Sequence, residues 1–301
     1  MREQILDYSN ISLKEEEREF FESVNYDYNM IMLPIFTVDR RVPGRMGKIY
    51  VFSEEQYLKV VPSGDPQLIS NKILQEFDER VFSAILRIAE YQKSKEVITD
   101  YFTLAKIAGV DYHRFLERIR DSIQRLFNCR ISFQGISSSI SLLSSTLIFT
   151  ASNKNDFNDC DFSMDDEILK ERVIQYVKGK KRLKHLLVLQ LNDFFYSNMQ
   201  RGEFITVKKD FIFSLTAVER KLFLILLQQR TNSAFAKSFS CVFLASRIPL
   251  SCKTSSYIAH SINTIQNAAE TLKERGLISG YTLTRRKPLK HSSIDFIMLQ
   301  R

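Results

Sequence analysis

The chain repeats itself, and the repeat limits the folds open to it more than any other feature does. Asp78-Glu79-Arg80-Val81-Phe82-Ser83-Ala84-Ile85-Leu86 is echoed by Val218-Glu219-Arg220-Lys221-Leu222-Phe223-Leu224-Ile225-Leu226, with the two Glu-Arg pairs 140 residues apart. A second landmark keeps that spacing. Leu104-Ala105-Lys106-Ile107-Ala108-Gly109-Val110-Asp111 matches Leu244-Ala245-Ser246-Arg247-Ile248-Pro249-Leu250-Ser251. Two landmarks at one offset arise by chance less easily than either alone. Each second landmark is a short apolar-faced helix broken at Gly109 or Pro249. Asp111 or Ser251 then suits the capping region of another helix. Short helix, tight turn, second helix is the helix-turn-helix pattern.

The following helices carry the candidate binding residues. In the first copy Phe115, Leu116, Ile119, Ile123, Leu126 and Phe127 recur three and four apart and predict a buried stripe. Arg114, Arg118 and Arg125 share a stripe beside it, which suits a DNA groove or a plain solvated face. In the second copy Tyr257, Ile258, Ile262, Ile265, Ala269 and Leu272 form the expected buried face. Lys253, Ser256, His260, Asn263, Thr264 and Asn267 remain as DNA-facing candidates. Asparagine matters here because it can pair bidentately with adenine.

A strand pair is expected after each of these helices. Arg130-Ile131-Ser132-Phe133 reads as facing Ser145–Thr150 across a neutral, Ser-rich turn. Gly276 reads as the cap ending the second helix, followed by strands Ile278–Thr284 and Ile294–Leu299. Arg285, Arg286, Lys287 and Lys290 fall between those two strands. They suit a phosphate clamp, or a solvated turn that discourages edge aggregation. The stretch Ser152–Asp161 reads as a linker or long loop, and Asp165–Val177 as a helix. The basic run Lys178–His185 suits a loop on phosphate or an exposed turn. The order predicts an α+β fold: two tandem winged-helix domains, mostly helical, with small antiparallel β-hairpin wings. Residues 1–160 form the expected interaction or dimerisation domain with some DNA contact. Residues 161–301 form the expected main DNA-binding domain.

Charge agrees with that division. Residues 1–160 hold three more acidic than basic side chains, and residues 161–301 hold eleven more basic than acidic. An excess of this kind points to a polyanion, of which nucleic acid is the commonest, or to a merely solubilising surface. With 301 residues, two domains can each bury a core. No apolar run approaches a membrane span, and six acidic residues in Met1–Phe20 argue against a signal or transit peptide. The chain is therefore expected in the cytoplasm, with no membrane partner.

Catalytic patterns are missing. Cys129, Cys160, Cys241 and Cys252 are far apart, as are the four histidines, so neither a metal site nor a disulfide framework is expected. Gly44-Arg45-Met46-Gly47-Lys48-Ile49 is too short for a P-loop and lacks its hydroxyl. Asp165-Asp166 reads as a helix N-terminus rather than a metal site. No catalytic residue, metal or cofactor is expected, and the chain does not read as an enzyme.

The arrangement resembles the bacterial plasmid replication initiators, the Rep proteins that bind repeated origin sequences (iterons). Leu33-Pro34-Ile35-Phe36, Lys48-Ile49-Tyr50-Val51-Phe52, Val60-Val61-Pro62-Ser63-Gly64 and Phe77-Asp78 resemble the opening segment of their initiator-protein-A branch. Leu189-Gln190-Leu191-Asn192-Asp193-Phe194-Phe195 through Arg220 resembles the passage into the second winged helix. The likeness covers roughly residues 30–300 and rests on short motifs. It implies a monomer that binds double-stranded iterons with both winged helices, opens an AT-rich neighbour, and recruits the host initiator ATPase and replicative helicase. It also implies a homodimer, made through the first winged helix, that represses its own promoter. A transcriptional regulator and a protein-interaction scaffold remain the alternatives. Origin repeats beside the gene separate the first from the initiator, and duplex binding separates the second from both.

Overall fold

The computed structural model describes residues 15–37, 47–52, 57–63, 72–133, 139–150, 166–181, 183–230 and 236–298. The domain boundary expected at residue 160, the stretch Ser152–Asp161 and Leu299 lie outside them. The chain begins α1 (Glu15–Glu22), β1 (Ser23–Asp27), α2 (Tyr28–Met32), β2 (Lys48–Val51) and β3 (Tyr57–Val61). It continues α3 (Glu76–Gln92), β4 (Glu96–Thr99), α4 (Tyr101–Ile107), α5 (Tyr112–Asn128), β5 (Arg130–Phe133), β6 (Leu143–Thr150), α6 (Glu167–Gly179) and β7 (His185–Leu191). Then come α7 (Asp193–Gln200), β8 (Phe204–Lys208), α8 (Lys209–Ser214), α9 (Ala217–Arg230), β9 (Ala236–Ser240), α10 (Cys241–Arg247), α11 (Ser255–Glu274), β10 (Ile278–Thr284) and β11 (Ser293–Met298). The named strands pair antiparallel in small sheets, so the fold is α+β.

The repeat is visible in the elements and in the chemistry that ends them. Helices α4 and α10 start and finish 140 residues apart, and β4 and β9 start 140 apart. At the head of α3, Asp78 accepts from Gln75 N at 2.8 Å; at the head of α9, Glu219 accepts from Thr216 N at 2.9 Å. Each carboxylate satisfies a backbone donor that its helix leaves open. After α4 the chain turns at Gly109 (φ 66°), and Val110 N donates to Ala105 O at 3.0 Å. After α10 the equivalent bond runs from Leu250 N to Ala245 O at 2.8 Å. Asp111 caps α5 by accepting from Arg114 N at 2.7 Å. In the second copy the cap is Thr254, accepting from Tyr257 N, while Ser251 O takes the Ser261 hydroxyl at 2.8 Å. Helix α11 ends at Gly276 (φ 66°), with Leu277 N on Leu272 O at 2.9 Å.

The first hairpin is not the one expected. Strand β5 pairs with β3, not with Ser145–Thr150. Strand β6 pairs with β7, and β4 takes the other edge of β7. The order β4-β7-β6 matches β9-β11-β10 in the second copy. The reason lies in side chains. His185–Leu191 reads HLLVLQL and is buried at Leu186, Leu187, Val188, Leu189 and Leu191, as a central strand requires. Arg130–Phe133 buries only Ile131 fully.

Helix α6 sits within the β6–β7 connection. Val173 and Val177 pack with Ile98, Leu183, Leu186 and Val188 in a small cluster of their own. Tyr176 Oη donates to Asp100 at 2.6 Å and Lys180 Nζ approaches it at 2.9 Å. Burial opposes ionisation of Asp100, but Lys180, Tyr176 and the Thr103 N–H together hold its pKa below the usual carboxylate value.

The copies share one continuous core running from Phe20 to Met298. Strand β1 pairs with β8, bringing the start of the chain to the segment between the copies. Arg220, 1 % exposed, meets Glu76 at 2.9 Å and Glu79 at 3.5 Å, so residues of the two repeated motifs touch. Its neighbour Lys221 donates to Met30 O and Leu33 O at the end of α2. Burial pushes the Lys221 ammonium down to about 8. No helix among the described residues is long and apolar enough to cross a membrane.

Candidate nucleic-acid interface

Helix α11 divides cleanly into two faces. Ser261, Ile262, Ile265, Ala268, Ala269 and Leu272 are buried. Ser256, His260, Asn263 and Asn267 are exposed, and their spacing puts them on one stripe. Thr264 is half-buried and its hydroxyl donates to His260 O at 3.0 Å. Tyr257, expected in the core, is 52 % exposed at the helix start. It stands before the first full turn is covered, where helical periodicity says nothing about neighbours. Lys253 is exposed just ahead of the cap.

The β10–β11 hairpin lies against this helix. Its tip holds Arg285, Arg286, Lys287, Lys290 and His291, all exposed. The buried hydroxyl of Ser292 accepts from Arg286 N at 3.1 Å and shapes the tip from inside. Arg285 Nη2 donates to Asn263 Oδ1 at 2.7 Å and to Gln266 Oε1 at 3.0 Å. Further along, Tyr281 Oη donates to Glu270 at 2.8 Å. A polar seam therefore joins hairpin to helix, and four cations flank a face made of neutral donors and acceptors. Neither Gln266 nor Tyr281 was singled out by sequence. The spacing of Gln266, three residues after Asn263, is the signal that places them side by side.

The first copy offers a different surface. Arg114 and Arg118 are exposed on α5, with guanidinium groups 5.3 Å from the Phe115 ring and 4.1 Å from the Phe77 ring. Glu117 is exposed between them and is forked by Arg120 at 3.1 Å through both oxygens. Asp121 adds a second carboxylate to the same helix. This face is mixed in charge where that of α11 is neutral.

Arg125 is a correction. It is 6 % exposed, and its Nε and Nη2 fork Asp78 at 2.8–3.1 Å, so it is a core ion pair and not a DNA contact. Its spacing from Arg114 and Arg118 puts it in line with them along α5, but the first turn of α3 covers that end of the helix.

The strand pairing also relocates a basic run. Lys178, Lys181 and Lys184 are exposed just before β7, the position that Arg286, Lys287 and Lys290 hold before β11. His185, where the run enters the sheet, has its pKa lowered by burial and by Arg120 and Lys184. Cys129 and Cys241 are buried thiols, pushed up by burial to about 12 and about 11. Cys160 lies outside the described residues, and Cys252 is half-buried.

No protein-family model matches the chain, and no curated protein matches its sequence.

Proposed function

We propose that the chain binds double-stranded DNA through two tandem winged helices and acts as a plasmid replication initiator. One juxtaposition carries the reading. The neutral polar face of α11 lies beside a hairpin tip with Arg285, Arg286, Lys287 and Lys290, and Arg285 ties the two together. A helix of that polarity suits base edges in a major groove, and a cationic tip suits the phosphates beside it. The order helix, strand, helix, helix, strand, strand from α9 to β11, and the matching sheet order of the first copy, where β5 and α6 are inserted on either side of β6, support a winged helix in each copy. The residue resemblance to iteron-binding initiators supplies the biological role: origin repeats as target, opening of neighbouring DNA, recruitment of the host initiator ATPase and replicative helicase, and a homodimer as a second state. In this reading the chain works in the cytoplasm, needs no cofactor and catalyses no reaction. Arg114 and Arg118 on α5, a helix that also carries Glu117 and Asp121, give weaker contacts.

The test is duplex binding as a function of salt. Arg286→Ala, Lys287→Ala and Lys290→Ala together are expected to weaken binding to all sequences alike. The slope of log affinity against log salt should fall by about two to three, near 0.9 per lost phosphate contact. An unchanged slope refutes the tip as a phosphate clamp. A duplex carrying direct repeats from beside the gene should bind at least about 10³-fold tighter than a scrambled one. Equal binding refutes the initiator role.

A further inference from the structure

We propose that Arg285 is a specificity-positioning residue, which sets how the Asn263 amide meets a base. The inference rests on the duplex-binding reading and goes a step past it. A guanidinium has N–H donors and no acceptor. Arg285 donates from Nη2 to Asn263 Oδ1 at 2.7 Å and to Gln266 Oε1 at 3.0 Å. Both amides must therefore turn their carbonyls toward the hairpin, which leaves the Asn263 NH₂ on the side away from Arg285. Exposed on the polar stripe of α11, that NH₂ is a donor suited to guanine N7 or O6, adenine N7 or thymine O4. Without Arg285 either end of the amide can face the groove, and the donor and acceptor readings mix. Asn267, one turn further along the same stripe, has no side-chain hydrogen bond among the described residues and keeps both ends available. Arg285 also differs from its neighbours in the tip. Arg286, Lys287 and Lys290 have no side-chain partner among the described residues, whereas the Arg285 guanidinium is already committed to α11.

The experiment is a double-mutant cycle on base preference. A duplex of roughly 30 base pairs is enriched from a randomised pool with the full wild-type chain, and each base pair is then substituted in turn. Wild type, Arg285→Met, Arg285→Lys, Asn263→Ala and the Arg285→Met/Asn263→Ala double variant are compared, each also on a scrambled duplex and across salt. Arg285→Met is expected to lose about tenfold discrimination at the base pair that Asn263→Ala also relaxes. The loss at that base pair should exceed any loss on the scrambled duplex, and the double variant should be no worse than Asn263→Ala. Arg285→Lys, whose one ammonium can give both bonds that Arg285 makes from Nη2, should recover part of that discrimination. Additive losses overturn the inference. So does a loss shared by every duplex, with the salt slope reduced by about one and restored by lysine, which marks a plain phosphate contact. Wild type that binds duplex without preference overturns the inference and leaves the DNA reading standing. Wild type that binds no duplex overturns both.

Discussion

Arg125 and Asp27 show what burial does to a charge. The Arg125–Asp78 fork is buried from both sides, with side chains 7 % and 0 % exposed. Removing one partner leaves the other charged and dry, which costs about 3–5 kcal/mol. Arg125→Met is therefore expected to destabilise the fold by that amount in denaturant titration while leaving the salt slope of DNA binding unchanged. A reduced slope would return Arg125 to the interface. Asp27 caps α2, accepting from Asn29 N at 2.8 Å, Met30 N at 3.2 Å and Asn198 Nδ2 at 2.9 Å. Those bonds favour the carboxylate, yet burial outweighs them and pushes its pKa up to about 6. A carboxyl raised on folding holds more protons in the folded state between its unfolded and folded pKa. Its contribution is thus present at pH 4 and lost as pH rises toward 6. Relative to Asp27→Asn, the wild type should lose about 2–3 kcal/mol across that window. Parallel pH profiles of the two would contradict this. Spacing alone gave the stripe on which Arg125 lies, but a single helix's periodicity carries no record of the helix that will cover it.

Local signals were strong wherever an element ends in its own chemistry, and weak wherever partners are distant. Gly109 is the clearest end signal. Its φ of 66° is left-handed, and an added Cβ would stand 3.0 Å from Phe213 Cδ2. Gly109→Ala should cost about 1–3 kcal/mol in thermal unfolding, from the backbone strain and that contact. A loss below about 0.5 kcal/mol would mean the α4–α5 turn accepts a side chain at no cost. The helices α3, α4, α5, α9, α10 and α11 were legible from apolar spacing and caps. The strand HLLVLQL was missed, although its apolar run was there to be read, and its partners lie far from it in the sequence. A tight hairpin announces its pairing through turn residues, whereas β6 and β7 are separated by a connection that holds α6. The nearer Ser-rich turn was therefore the tempting choice, although it joins strands from different sheets. Asp111 and Thr254 make the same point for caps. The first was read in place, while the second lies three residues beyond the repeat frame and was hidden by Ser251.

Across the whole molecule, the copies are welded rather than strung. Arg220 on Glu76 and Glu79, Lys221 on the end of α2, and β1 on β8 fix the repeated motifs against each other and against the start of the chain. That mutual contact could not be read from a repeat, because an offset records likeness and not docking. The charge asymmetry could be read, and it survives the new strand pairing. Residues 192–301, which follow β7, hold nine more basic than acidic side chains. The polar face of α11 was legible too; the bond from Arg285 that organises it was not, since it joins residues brought together only by the hairpin's return. A welded pair of modules should meet DNA as one body. Hydroxyl-radical footprinting of the full chain on DNA flanking its own gene tests this most directly. The account predicts two protected stretches on one face of the duplex, about 10 base pairs apart, the stronger facing α11 and its hairpin. Absence of protection, or a single stretch insensitive to the loss of Arg286, Lys287 and Lys290, would contradict it.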